Sequence, residues 1–147
     1  MKISSTTLLA ILAMMLCGCD WYDSLLQDEN EKCKKFNSLK ASQGDFDDQI
    51  LLSWTLPCDD MYYMDIYRSD KPDKDFVHVH HIEKDTLTYR LDYIYYDNGL
   101  CSAIYSGYCN VKFESKKKYY YYIVTTPYLD TENIGEVKSN IAEGWVR

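Results

Sequence analysis

From residue 37 onward, apolar and polar positions alternate with the two-residue period of strands, not the 3.6-residue period of helices. Ile50, Leu52 and Trp54 alternate with Leu51, Ser53 and Thr55, and Pro57 ends the run. Met64 and Ile66 alternate with Asp65 and Tyr67, ahead of a stretch from Ser69 to Asp75 whose Asp, Lys and Pro content marks a loop. Val77 and Val79 follow; then Leu87, Tyr89, Leu91 and Tyr93 share one face, opposite Thr88, Arg90 and Asp92. Tyr119 to Thr126 is the most aromatic run, and Val137 to Val146 closes the series. About seven half-buried strands separated by loop signals predict an all-β protein, a seven-stranded antiparallel β-sandwich. Within the tyrosine run, neighbours must face opposite ways. Tyr119 and Tyr121 fit the buried set, which leaves Tyr120 and Tyr122, with Tyr67, as an outward aromatic stripe explained by cross-strand packing more readily than by ligand stacking.

The first residues follow another rule. Lys2 precedes an uncharged, mostly apolar stretch from Leu8 to Leu16, after which come Cys17, Gly18, Cys19 and Asp20. The stretch is well short of the ~20 residues that span a bilayer, so it reads as an export signal. Leu16-Cys17-Gly18-Cys19 resembles a bacterial lipobox, in which a small residue precedes the cysteine that becomes the lipidated amino terminus. The resemblance implies lipid attachment at Cys19, a signal peptide over 1–18 and a lipid anchor in the outer or cytoplasmic membrane, with the domain outside the cytoplasm in the bacterial cell envelope. Residues 19–36 are polar and mixed in charge, as a tether is.

Composition narrows the function classes. Hydrophobic residues make up 46% of the 147 and charged residues 27%, with only six Gly and three Pro, which describes one globular domain without low-complexity linkers. The net charge of −7 becomes −8 once residues 1–18, which carry Lys2 and no acid, are removed. A nucleic-acid partner needs a net basic face, so none is expected; Lys116, Lys117 and Lys118 read as a solvated turn. With Cys17 lost and Cys19 lipidated, Cys33, Cys58, Cys101 and Cys109 remain, an even set that predicts two disulfides with three pairings open.

Three segments together resemble a fibronectin type III domain over 37–147: Ile50-Leu51-Leu52-Ser53-Trp54 as its second strand with the core tryptophan, Met64-Asp65-Ile66-Tyr67-Arg68-Ser69 as its third, and Phe113 to Thr125 as the turn and sixth strand. The resemblance puts Tyr119 at the tyrosine corner and Ser139-Asn140 at the start of the last strand. It also implies that Cys33 pairs with Cys58 at one pole and Cys101 with Cys109 at the other. Residues 94–112 then form an unusually long connection between the fifth and sixth strands. That connection, with Tyr95, Tyr96, Tyr105 and Tyr108 as candidate binding residues, joins two other loops at the pole opposite the tether. The acids of those loops, Asp45, Asp47, Asp48, Asp70, Asp73 and Asp75, favour a basic partner.

Catalysis and cofactors find no support. The chain has no G-x-S-x-G elbow, no phosphate-binding glycine loop and no H-E-x-x-H helix, so no catalytic residue and no cofactor is assigned. His78 and His80 share a strand face on simple alternation, but they lack an evident third ligand, so no metal ligand is assigned either. Asp45, Asp47 and Asp48 read as a polar turn rather than a Ca²⁺ site. The expectation is a lipid-anchored binding or structural module, not an enzyme, with a protein or glycan partner. The competing expectation is an accessory envelope enzyme or metal-binding protein that uses His78, His80 and His81.

Overall fold

The computed structural model describes residues 33–59, 61–84, 91–101, 109–127 and 135–147. The expected signal peptide, the lipidated cysteine, the tether up to Lys32 and residues Leu87 to Arg90 lie outside the described residues, as do Tyr105 and Tyr108. The described residues contain eight strands: β1 (Lys40–Ala41), β2 (Ile50–Thr55), β3 (Met61–Ser69), β4 (Val77–Glu83), β5 (Asp92–Asp97), β6 (Tyr119–Pro127), β7 (Val137–Lys138) and β8 (Ala142–Gly144). All pairings between them are antiparallel. One sheet has the order β1-β2-β5; the other runs β4-β3-β6, with β7 and β8 both paired to β6. Two antiparallel sheets with this order form an all-β sandwich of the fibronectin type III kind.

The core follows from the alternation. Ile50, Leu52 and Trp54 of β2 are buried against Met64 and Ile66 of β3 and Tyr119, Tyr121 and Ile123 of β6. Each such side chain, taken out of water, contributes roughly 1.5–3 kcal/mol. Cys33 and Phe36, which precede residue 37, belong to the same core.

The last strand is interrupted, and the interruption has a function in packing. At the break between β7 and β8, the Ser139 hydroxyl accepts the Ile123 N–H at 2.9 Å, while Ser139 N–H donates to the Ile123 carbonyl at 2.8 Å. Asn140 turns toward the start of the domain: its side chain accepts from Leu39 N–H at 3.1 Å and donates to the Leu39 carbonyl at 2.9 Å. An amide side chain thereby imitates a strand partner and ties the last segment to the first.

The fifth strand differs from expectation. The sequence pattern suggests a strand ending near Tyr93, whereas β5 runs from Asp92 to Asp97 and pairs with all of β2, from Thr55↔Asp92 to Ile50↔Asp97. Residues 94–97 are therefore strand, and the connection to β6 starts at Asn98. Register with β2 decides this, because each added residue satisfies another pair of backbone groups along a partner already buried.

Candidate functional site

The connections β1–β2, β3–β4 and β5–β6 meet at one end of the sandwich. A cleft of about 440 Å³ there is lined by Arg68, Asp70, Asp75, Val111, Lys117 and Tyr119, among others. A second depression beside it joins Asp47 and Asp48 to Leu100, Val111 and Phe113. Tyr119, buried at the start of β6, accepts the Glu114 N–H on its hydroxyl at 3.2 Å, the geometry of a tyrosine corner.

Beneath the cleft lies a buried polar network that sequence reasoning missed. Arg68 and Asp97 are 2% and 0% exposed, and Arg68 Nη1 donates to both Asp97 oxygens at 2.7 and 2.8 Å. The Tyr121 hydroxyl donates to Asp97 Oδ2 at 2.9 Å, and Gly99 N–H donates to Asp97 Oδ1 at 2.8 Å. Arg68 Nη2 donates to the Cys109 carbonyl, and the guanidinium lies 5.4 Å from the Phe113 ring centre. Burial, with the adjacent Asp97 charge, pushes the Tyr121 phenol far above its ordinary range, so it remains a donor. The signal was parity: Met64, Ile66 and Arg68 fall on one strand face, so an arginine there had to point inward and needed an acid.

Of the four candidate tyrosines, Tyr105 and Tyr108 lie outside the described residues. Tyr95 and Tyr96 are strand residues on opposite faces of β5, not loop residues as expected. Tyr96 points outward, 46% exposed, edge-on to Phe46 at 6.0 Å. Tyr95 points inward and stacks on His80 at 4.7 Å; burial first, then Asp97, push its phenol up to about 12. The acids of this end do not make a one-sign surface either. Lys71 pairs with Asp75, Lys117 lies 3.4 Å from Asp70 and 2.9 Å from Glu114, and Arg147 lies 3.8 Å from Asp47. Lys71 comes from the same loop as Asp75, while Lys117 and Arg147 reach Asp70 and Asp47 from distant segments. The cysteines do lie as disulfide pairs, Cys33 with Cys58 and Cys101 with Cys109.

The histidines are also rearranged. In the β3–β4 ladder, Ile66 faces His80 but Tyr67 faces His78, which leaves Val79 as an extra residue, a β-bulge. The bulge reverses the alternation on one side of it. His78 and His80, expected on one face, lie on opposite faces; His78 and His81 share the outer face with Asp65. Asp65 Oδ1 is 2.7 Å from His78 Nε2 and 2.7 Å from His81 Nδ1. His81 Nε2 lies 3.8 Å from Glu83 Oε1. Tyr63 stacks on His81 at 5.7 Å, and Tyr67 stands edge-on to His78 at 5.2 Å. Tyr67 in turn stacks on Tyr122 at 4.7 Å, and Phe76 and Lys138 cover Tyr122. Tyr67 and Tyr122 of the expected outward stripe are therefore packed cross-strand.

No family profile matches the chain, and no curated protein matches it. Among solved structures, an Fn3-like protein from Clostridium thermocellum is 17% identical over 76% of this chain and 90% of its own, with a TM-score of 0.47. Pectate lyase Pel3 from Pectobacterium carotovorum is 16% identical over 74% of this chain and 26% of its own, with a TM-score of 0.47. Pectate lyase PelI from Erwinia chrysanthemi is 19% identical over 74% of this chain and 27% of its own, again at 0.47. The chain thus spans about a quarter of the length of the pectate lyases it matches. The sandwich assignment rests on the strand order and pairings described above.

Proposed function

We propose that this chain is a lipid-anchored cell-envelope protein, attached through Cys19, whose fibronectin type III-like domain is a non-enzymatic module that binds a protein partner through the end of the sandwich formed by its β1–β2, β3–β4 and β5–β6 connections. One observation carries the reading: these three connections, the cleft and the Cys101–Cys109 pair gather at one end. The chain enters the domain at the other, where Cys33 joins Cys58 in the β2–β3 connection. A tether from the membrane would present the first end outward. Two disulfide pairs suit an oxidising compartment outside the cytoplasm. Leu100, 58% exposed, and Val111, 38% exposed, stand amid balanced charges, a mixture that suits a protein surface better than a polyhydroxyl glycan.

Two measurements test it. Fatty-acid labelling of cells should mark the wild-type protein and not Cys19→Ala; label retained by Cys19→Ala refutes the anchor. Crosslinking in intact cells should capture a protein with the wild type and lose it with the Leu100→Asp/Val111→Asp variant, at unchanged fold by circular dichroism. Equal capture by both moves the recognition surface elsewhere. Recovery of glycan alone favours the carbohydrate reading.

A further inference from the structure

We propose that Asp65, His78 and His81 form a binding site for a single divalent transition-metal ion of the Zn²⁺ class, on the outer face of the sheet that contains β3 and β4. This goes beyond the binding-module reading and does not depend on it. The argument starts with the bulge. A regular ladder would carry His78 and His81 on opposite faces, since they are three residues apart; the extra residue Val79 puts both imidazoles beside one carboxylate across the strand pair. One donor atom from each of Asp65, His78 and His81 lies within 4.8 Å of the other two, and Asp65 Oδ1 is 2.7 Å from both His78 Nε2 and His81 Nδ1. Two imidazole nitrogens and one carboxylate oxygen are a donor set suited to Zn²⁺ and its neighbours, whereas Ca²⁺ and Mg²⁺ call for oxygen donors throughout.

The distances fit a site that opens slightly on binding. Bonds of about 2.0–2.1 Å in a tetrahedral arrangement separate donor atoms by roughly 3.3 Å. The two carboxylate contacts of 2.7 Å each have to widen by about 0.6 Å, which side-chain torsions on a surface supply. The surroundings hold the ligands in place. Tyr63 and Tyr67 flank the two rings, and Tyr67 is itself fixed against Tyr122.

The second independent observation is Glu83. A metal-bound His81 Nδ1 requires the ring's other nitrogen to carry the proton, and Glu83 Oε1 lies 3.8 Å from that nitrogen. That distance is too long for a hydrogen bond, and the exposed Glu83 side chain has to close by about 0.7 Å or more to become the carboxylate that selects the tautomer and raises the basicity of a coordinating imidazole. The side chains are 15% to 27% exposed, so the fourth tetrahedral position opens to solvent. Water fills it, or a donor from a partner protein does. His80, though adjacent in sequence, is turned inward against Tyr95 and takes no part.

The test uses the full-length protein in detergent, freed of metal with a chelator, and titrates Zn²⁺ calorimetrically with Mg²⁺ as the comparison ion. The wild type should bind one Zn²⁺ per chain and no Mg²⁺. Both His81→Ala and Asp65→Asn should weaken Zn²⁺ binding about 100-fold or more, and Glu83→Gln about tenfold. His80→Gln should bind as the wild type does. Zinc should also raise the urea midpoint of the wild type and of His80→Gln but not of His81→Ala, a shift expected only when the ion binds the folded state. Absence of stoichiometric Zn²⁺ binding by the wild type overturns the proposal. So does His80→Gln losing the ion as completely as His81→Ala, or His81→Ala retaining wild-type affinity.

Discussion

Arg68 occupies a position where strand alternation calls for an apolar side chain, and its charge is tolerated there because Asp97, the Cys109 carbonyl and the Phe113 ring all face it. Breaking a buried pair by removing one partner strands the other charge, which costs more than the pair itself contributes. Asp97→Ala should therefore destabilise the domain by about 3–5 kcal/mol. Tyr121→Phe removes one donor but leaves Asp97 its arginine and the Gly99 N–H, and should cost about 1 kcal/mol. Urea denaturation ranks them; equal losses would mean the guanidinium is not held by Asp97. His80 supplies a second prediction. Burial, then the nearby His78 and His81, lower its pKa, with Asp97 partly opposing. A base whose folded-state pKa is lowered binds fewer protons folded than unfolded. Its contribution is complete above the unfolded value near 6.5 and is lost as pH falls through the depressed folded value. Stability measured at pH 7.5 and 5.0 should drop less for His80→Gln than for the wild type; an identical drop would show that His80 does not carry it.

At the scale of elements, the described parts of the connection from Asn98 to Lys118 are wired to the core through Gly99 and Cys109. Gly99 shows how. It sits at φ +85°, a region L-residues avoid, and an added Cβ would come within 2.1 Å of the Val111 carbonyl oxygen. That close approach supports the Val111 N–H to Gly99 carbonyl bond at 2.9 Å, while Gly99 N–H serves Asp97. Gly99→Ala should thus disturb the loop and the buried pair together, lowering stability by about 2 kcal/mol or more. A loss under half a kcal/mol in thermal or chemical melts would mean that the loop and the ion pair are independent. Excising this connection is for the same reason a poor way to probe binding, since it removes the Cys109 carbonyl on which Arg68 depends. The bulge at Val79 is the other decisive element, because one residue inserted into β4 exchanges which histidines share a face.

Across the whole molecule, the two cysteine pairs mark opposite ends, one at the entry of the chain and one in the β5–β6 connection. The sequence separations are 25 and 8, so limiting the unfolded chain is worth roughly 3.5 and 2.5 kcal/mol respectively on loop-entropy grounds. A Cys33→Ser/Cys58→Ser double variant should lose about that larger amount, since Cys33 also packs in the core. Non-reducing peptide mapping of the wild type should recover Cys33 linked to Cys58 and Cys101 linked to Cys109. A Cys33–Cys101 peptide would contradict the two-ended layout. Closure along the remaining side comes from the last segment, where Gln43 bridges Trp145 in parallel and Asn140 holds Leu39.

The all-β class and the inward set Ile50, Leu52, Trp54, Tyr119 and Tyr121 were legible because a two-residue period is a local property of one strand, whereas the cysteine partners followed only from the resemblance to a fibronectin type III domain. Alternation likewise turned Tyr119 inward at the start of its strand, and the resemblance then made it the tyrosine corner. Tertiary structure alone decided how the faces matched across strands. Whether Tyr67 opposes His78 or Val79, whether Tyr95 lies in a loop or in β5, and whether loop acids stand alone or beside lysines all depend on pairing between distant segments. A bulge leaves no mark on local alternation except a doubled step, and an ion pair spanning 29 residues leaves only one polar residue of wrong parity at each end. The chain thus carries its architecture in its periodicity, while its candidate chemistry arises where register breaks that periodicity.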